Sequence, residues 1–401
     1  MGAGMQQAQT SERAIEPAIV VGLHDGVPAL MDALADCADP HNRFLRAAWY
    51  RMAAGEGIAT VAGIRVDGTP VAALPTAPLG PALIGARSVP GSYWPFRSVP
   101  LDPDTSDEEL TAFLADRASI SALGPAWRIG PIYASDPATA RIKRAAGVAG
   151  WTVLTRKLGR TFPFDARDEA WPRRSTRRRL ANYERQLTQL GAVTIRHVSG
   201  ADWNAAVLDD LAAIEAASWV GTGTDGTGAK FLTDAKRAGW LAAVMDPVLA
   251  QALSATILSV GGKPAAFSFD LQSGTMQYGI ASSYDAQFAA FRPGKIVTAY
   301  QLDAARRAGI ETIDLGAGDS GYKREMGAVA GPEILDLLIV RNRPAASLLG
   351  LRWGAESEIA REAYLAASKL RDTGRDRGDR GRIEALLALG ALAAAALTFA
   401  E

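Results

Sequence analysis

The sequence predicts an α/β protein of two similar units, each a mixed, mostly antiparallel sheet flanked by helices, with a helical tail behind them. Three observations lead there. The 401 residues suit two or three domains at roughly 100–200 residues each. Short stretches of period-two apolar alternation, joined by tight-turn pairs, are separated by longer stretches with helix start and stop signals. The two halves also repeat one order of elements: helices, a strand hairpin, helix, strand, helix or loop, strand. The boundaries fall at a polar, disordered N-terminus over 1–15, a first unit over 16–164, a second over 165–345, and a helical tail with a charged linker over 346–401.

In the first unit Ala18–Leu23 reads as a strand, and Pro28–Cys37 and Asn42–Ala53 as helices. IATVAGIRV and PVAALPTAP flank Asp67-Gly68, a pair suited to a two-residue hairpin turn. Leu79–Pro103, rich in Pro and Gly, is a long loop. Ser106 followed by Glu109 is a capping box that opens a helix. Strand Ala126–Ile132, helix Pro137–Ala146 and strand Trp151–Leu158 complete the unit.

The second unit opens with an arginine-rich helix, Arg173–Leu190, stopped by Gly191. Strand Val193–Val198, helix Ala201–Ser218, a Gly/Thr loop over Gly221–Gly228 and helix Ala229–Val244 follow. ALSATILSV, PAAFSFDL and MQYGIAS, turned at Gly261-Gly262 and Ser273-Gly274, form a meander. Helix Pro293–Ala308 and strands Thr312–Leu315 and Ile334–Arg341 close the unit. In the tail, Leu351–Arg371 has amphipathic spacing and RDTGRDRGDRGR is a solvated linker. IEALLALGALAAAALTFA is an Ala/Leu helix, shorter than the roughly 20 apolar residues of a membrane span. It is expected to dock on protein or on a membrane surface, giving a cytoplasmic protein with peripheral membrane contact.

Forty-three basic and 43 acidic residues cancel, so no global field draws nucleic acid or an anionic membrane. The single cysteine, Cys37, forms no internal disulfide, in keeping with a reducing compartment. Its apolar helical surroundings suggest a buried filler. His24, His41 and His197 lie far apart and have no metal-ligand spacing, so no metal site is expected.

The most informative stretch is Lys263–Glu325. It reads as two strands, a helix opening at Pro293-Gly294, a third strand, and a polar loop ending in Tyr322-Lys323. A helix start behind a strand offers unpaired amides and a positive dipole end, which suits a pyrophosphate. Pro293 fits the first turn because it has no N–H to leave unbonded.

RRSTRRRLANYERQLTQLG, the Trp219 loop, GGKPAAFSFDL and SSYDAQFAAFRPGKIVTAYQLDAARRAGIETIDLGAGDSGYKRE together resemble the acetyltransferase domain of the bacterial cellulose-biosynthesis CelD/BcsL family (BioF2-like), a branch of the GNAT superfamily. They are also similar to the Fem-type aminoacyl transferases, which carry two GNAT-like units in tandem. The likeness covers about residues 165–341; the first half agrees mainly in element order and in the hairpin ending at Ala72–Pro75. One departure is that FRPGKIV is poorer in glycine than the usual GNAT coenzyme loop.

The resemblance implies two tandem GNAT-like units and an acyl donor, acetyl-CoA or another acyl-CoA, held between two splayed strands. These would be Ala265–Leu271 (or Met276–Ser282) and Thr312–Leu315. Backbone amides at Arg292, Gly294, Lys295 and Ile296 would take the phosphates. Tyr322 would protonate the leaving thiolate, and Lys323 would neutralise charge on the carbonyl oxygen or hold a phosphate; its alternative is a solvated lysine. Asp319 would accept the amine proton or cap the following turn. Tyr284 and Asp285 would orient substrate, with an Asx-type turn as the alternative for Asp285. Trp219, packed against its surroundings, and the Gly221–Gly228 loop would form a flap over the acceptor site; the alternative is a core tryptophan at a helix end. Arg178, among Arg173, Arg174, Arg177 and Arg179, would meet an anionic ligand; its alternative is a solvated helix face.

The expected activity is transfer of an acyl group from acyl-CoA to an amine (or hydroxyl) of a small or sugar-linked acceptor, in cell-envelope or exopolysaccharide chemistry. The alternatives are a Fem-like transferase with charged tRNA as donor, and a non-catalytic subunit of a polysaccharide machine. Little aromatic–basic interleaving argues against nucleic acid.

Overall fold

A computed structural model describes residues 19–53, 57–91, 97–223, 226, 228–317 and 322–353. Twelve strands among them form one sheet. They are β1 (Ile19–Asp25), β2 (Ala59–Arg65), β3 (Pro70–Pro78), β4 (Arg87–Ser88), β5 (Ala126–Tyr133), β6 (Thr152–Asp165), β7 (Val193–Ser199), β8 (Leu253–Val260), β9 (Lys263–Ser273), β10 (Met276–Tyr284), β11 (Thr312–Ala317) and β12 (Glu333–Val340). Across the sheet they run β1-β2-β3-β4-β5-β12-β6-β11-β10-β9-β8-β7.

The pairing reads the same from both edges. Three antiparallel pairings are followed by a parallel one and an antiparallel one, ending at the central antiparallel pair β12–β6. The repeat expected from element order is thus a two-fold relation in the sheet. The halves also interleave: β12, from late in the chain, lies between β5 and β6.

β6 explains one departure from the sequence reading. It runs to Asp165 rather than to Leu158, because it pairs with β12 over Thr152–Arg160 and then with β11 over Thr161–Asp165. Its middle, Lys157–Arg160, is exposed, and an exposed polar run hides a strand from an apolar-alternation test.

A buried ion triad sits where the halves interleave. Asp336 on β12 has no exposed surface. It accepts hydrogen bonds from Arg128 Nε on β5 (2.8 Å) and Arg156 Nη2 on β6 (2.7 Å). The Arg156 guanidinium also lies 4.2 Å from the ring centroid of Trp353, which joins helix Arg343–Trp353 to the same strands.

The largest apolar cluster spans both halves. Trp49 meets Trp240 at 6.2 Å between centroids, and Trp240 meets Phe269 on β9 at 4.8 Å, both edge-on. Such pairs add about 0.5–1.5 kcal/mol each beyond the area they bury.

Local signals hold where side chains meet their own backbone. Asp67 Oδ1 accepts from Thr69 N, and Gly68 takes φ +89° in the turn. The Ser106–Glu109 capping box is reciprocal, at 3.1 and 2.7 Å. Other expectations are corrected. Cys37 is exposed, because the buried stripe of helix Leu30–Cys37 is Met31, Leu34 and Ala35. The second helix begins at Ala47, since Asp39 caps a separate turn at Pro40–Asn42. The helix expected from Ala229 begins at Asp234, where Thr233 accepts from Lys236 N.

The N-terminal 1–15 segment, the linker and the Ala/Leu helix lie outside the described residues. Among the described residues no helix is long and apolar enough to cross a membrane.

Removing one partner of a buried ion pair strands the others. Asp336→Ala should therefore cost about 3–5 kcal/mol of stability, read as a lower urea midpoint. A triple replacement of Arg128, Arg156 and Asp336 by apolar residues of similar size should recover most of it. An unshifted midpoint in Asp336→Ala would refute this role for the triad.

Candidate active site

β10 and β11 are parallel and pair only from Met276↔Thr312 to Tyr278↔Asp314. Beyond that point the ladder between them ends. Both strands are irregular at the same level. β10 shifts register against β9 between Gly279 and Ala281, and β11 shifts against β6 between Asp314 and Ala317. Bulges bend strands and increase their twist, so the two part into a wedge. A cleft of about 230 Å³ fills it, walled by Gly279–Ser282 of β10 and Leu315–Ala317 of β11. Thr298 and Gln301 of helix Pro293–Arg307 and Ser268 and Asp270 of β9 complete the lining. Of the two strands expected opposite Thr312–Leu315, Met276–Ser282 is the one that borders this cleft.

The first half holds the point of divergence. Tyr133 of β5 donates its hydroxyl to Asp314 Oδ2 at 2.7 Å, and Asp314 Oδ1 accepts from Gly316 N at 2.7 Å. Gly316 has φ +80°, a conformation side-chain-bearing residues resist. Lys323 closes the far end of β11. It is buried, not solvated, and donates to the carbonyls of Gly316 (2.8 Å) and Ala317 (2.6 Å). Both carbonyl-bearing residues line the cleft, so Lys323 shapes its wall.

Asp270 is the ionisable group that the sequence reading missed. It is 2 % exposed and accepts from Ser268 Oγ at 2.9 Å and Gln301 Nε2 at 3.3 Å. Burial pushes its carboxyl up to about 7, while hydrogen bonds from Ser268 and Gln277 pull the other way. A carboxylate near neutrality in a cleft is matched to proton transfer. The signal was in FSFDLQ: Phe267, Phe269 and Leu271 belong to the core, which leaves Ser268 and Asp270 on the opposite face. A carboxylate on that face of a strand covered by a helix has to be satisfied locally.

The turn at Pro293-Gly294 is built as follows. Arg292 has φ +53° and makes no side-chain cap. Its amide donates to Ala289 O, and its carbonyl accepts from the amides of Lys295 (3.0 Å) and Ile296 (3.4 Å). Three of the four amides proposed for phosphate are thus engaged within the turn, and what remains is Gly294 with the exposed side chains of Arg292 and Lys295. A Cβ at Gly294 would lie 3.3 Å from Tyr284 Cδ1.

Tyr284 packs in the apolar cluster under this turn. Asp285 accepts from Gln287 N at 2.9 Å and from Gln287 Nε2 at 2.6 Å, an Asx-type turn. Tyr322 opens a short helical turn, Tyr322–Glu325; its side chain and Asp319 lie outside the described residues.

Trp219 is 63 % exposed, which corrects the expectation that it packs against its surroundings. It starts a short helix on the surface, and Glu215, on the helix before it, accepts from Lys230 N (2.8 Å) and Phe231 N (2.6 Å). Arg178 is exposed on helix Arg174–Thr188. Among the described residues no cluster of side chains could hold a metal ion.

Comparison with known proteins places this geometry in a class. Residues 174–324 match the family described as the Acetyltransferase (GNAT) domain. The fold agrees with FemX at TM-score 0.54 and 13 % identity, covering 80 % of this chain and 98 % of that one. It also agrees with L-PGS from Bacillus licheniformis at 0.50 and 12 %, covering 82 % and 95 %. A tandem GNAT protein from the clavulanic acid biosynthesis pathway aligns at 0.46 and 12 %, covering 81 % and 99 %. No curated protein matches the sequence. The chain is an enzyme of the transferase class, whose residues 174–324 match the GNAT acetyltransferase domain and whose α/β fold is built on one large, mostly antiparallel sheet flanked by helices.

The raised Asp270 carboxyl has a consequence for stability. Its value is about 7 in the folded chain against an ordinary 3.8, so the folded state holds that proton more tightly. The protein loses this contribution as pH rises from about 4 to about 7 and does not regain it above. Asp270→Asn mimics the protonated form and should raise the melting temperature at pH 8 more than at pH 5. Equal shifts at both pH values would show that Asp270 does not titrate there.

Proposed function

We propose that the chain transfers an acyl group from acyl-CoA, acetyl-CoA being the simplest, to an amine (or hydroxyl) of a small or sugar-linked acceptor. The observation that supports this best is the wedge between β10 and β11 with Asp270 on its wall. Beyond Tyr278, β10 amides that face β11 have no ladder partner there. They can donate to the thioester carbonyl oxygen as negative charge develops on it. Asp270 takes the proton of the attacking amine, whose nitrogen bonds to the acyl carbon. The carbon–sulfur bond then breaks, and the thiolate leaves with a proton for which Tyr322 is the candidate donor. Asp319 is the candidate second acceptor for the amine proton. Trp219, Tyr284, Asp285 and Arg178 remain proposed acceptor contacts.

The turn at Gly294 receives the donor's phosphates through its own amide and the Arg292 and Lys295 side chains. The CelD/BcsL relationship and the setting in envelope or exopolysaccharide chemistry, on the cytoplasmic side, rest on the sequence resemblance.

Acetyl-CoA should raise the melting temperature, and an aminoacyl-tRNA should not. The reverse result would replace this reading with a tRNA-dependent one. kcat/KM should rise with pH and level off above about 7, and Asp270→Asn should lose about 100-fold or more. An unchanged profile in that variant would remove Asp270 from the chemistry. Gly294→Val should weaken acetyl-CoA binding about tenfold or more while circular dichroism stays unchanged; undiminished binding by calorimetry would clear the turn of a role.

A further inference from the structure

Asp270 is held from behind by a pair of glutamines. Gln277 of β10 stands opposite Gln272 of β9 in the ladder, and Asp270 is two residues from Gln272 on the same strand. Side chains two apart on a strand share a face, so the three stand together on one side of the sheet. Gln277 is the diagonal neighbour of Asp270 across the two strands, a separation that long side chains bridge. It is 1 % exposed and donates to the Asp270 carboxylate. The cleft is lined by Asp270 and not by either glutamine.

A glutamine amide has two unlike ends: its NH2 only donates and its oxygen only accepts. Turned about, Gln277 would aim an oxygen at a carboxylate. Which end faces Asp270 is decided on the side away from it, where Gln272 Nε2 donates to Gln277 Oε1 at 3.1 Å. With its oxygen engaged there, Gln277 has its NH2 for Asp270.

The other neighbours do not set this orientation. Ser268 Oγ donates to Asp270 at 2.9 Å, but a hydroxyl can rotate to accept instead. Gln301 donates at a longer 3.3 Å. Helix Pro293–Arg307 meets the cleft with Thr298 and Gln301, both neutral. From the side of β11, Lys323 is tied to the carbonyls of Gly316 and Ala317. Asp314 pairs with Tyr278, one residue on from Gln277, and so belongs to the other face of the sheet.

We propose that Gln272 is a positioning residue: it commits Gln277 to donate to Asp270 and leaves the remaining lone pairs of the carboxylate to the cleft. Without Gln272, Gln277 can turn and accept from a protonated Asp270. The proton is then held where the reaction needs an open base. The assignment rests on the reading of Asp270 as the base of an acyl-CoA reaction.

Two measurements on the full chain test it, one of them without substrate. The pH dependence of the melting temperature follows the titration of Asp270. The pH profile of kcat/KM, with acetyl-CoA and glucosamine as the probe pair, follows its use. A hydrogen bond donated to a carboxylate favours the charged form, so its loss moves the titration upward from about 7. Gln277→Met should move both curves by about one pH unit or more, and Gln272→Met by about half a unit or more. The double variant should move them no further than Gln277→Met alone, because Gln272 acts through Gln277. In an Asp270→Asn background, Gln272→Met should have no pH-dependent effect on melting.

An unmoved melting curve in Gln272→Met overturns the proposal and leaves the acyl-CoA reading standing. Additive shifts in the double variant overturn it too, since Gln272 would then act by itself. A moved melting curve beside an unmoved rate profile removes Gln272 from the reaction. If the wild type neither binds nor turns over acetyl-CoA, the donor reading falls, while a moved melting curve still supports the hold of Gln272 on Asp270.

Discussion

A carboxylate held away from water by two guanidiniums sits at the centre of the sheet, and the arrangement of both halves depends on it. Asp336 can be buried only because Arg128 and Arg156 reach it from the strands on either side. That requirement fixes β12 between β5 and β6 in one register, since a one-residue slip would turn the carboxylate to the other face. With β12 in place, β6 is free along its second part to pair with β11. The wall of the cleft is thus set from the middle of the molecule outward. The Tyr133–Asp314 hydrogen bond repeats the theme, with a first-half residue holding the strand that opens the wedge.

The cleft and its ionisable group have a common origin. β10 and β11 part because each is irregular where the other is, and the helix that covers the gap shields Asp270 from solvent. Burial disfavours the charged carboxylate and moves its titration into the range where a base is useful. No strong countercharge was needed: Ser268, Gln277 and Gln301 are neutral, and a cation in their place would have drawn the carboxyl back down. Shape and acidity follow from one packing decision.

Much of the architecture was legible in the sequence. The Asp67-Gly68 hairpin, the Ser106 capping box and the Pro293 helix start are local, and each is decided by side chains meeting their own backbone. The Phe267-Phe269-Leu271 alternation likewise announced a strand with one face in the core. What could not be read was whatever depends on partners far along the chain. The exposed middle of β6 is a strand because β12 pairs with it and β11 takes up its continuation. Asp270 looked like one more polar residue in a strand until a helix covered it. Trp219 departed from expectation by lying on the surface, and Lys323 took neither a solvated place nor one readable in advance, its ammonium buried against carbonyls.

The palindromic sheet contains one inequality. The parallel pair of the second half joins strands of nine and six residues, β10 and β11, whereas in the first half β4 has two residues beside the eight of β5. Two residues span about 7 Å, too little to pair and then part into a wedge. A symmetric scaffold therefore carries an asymmetric division of labour, in which one copy of the motif opens a cleft and the other buttresses it.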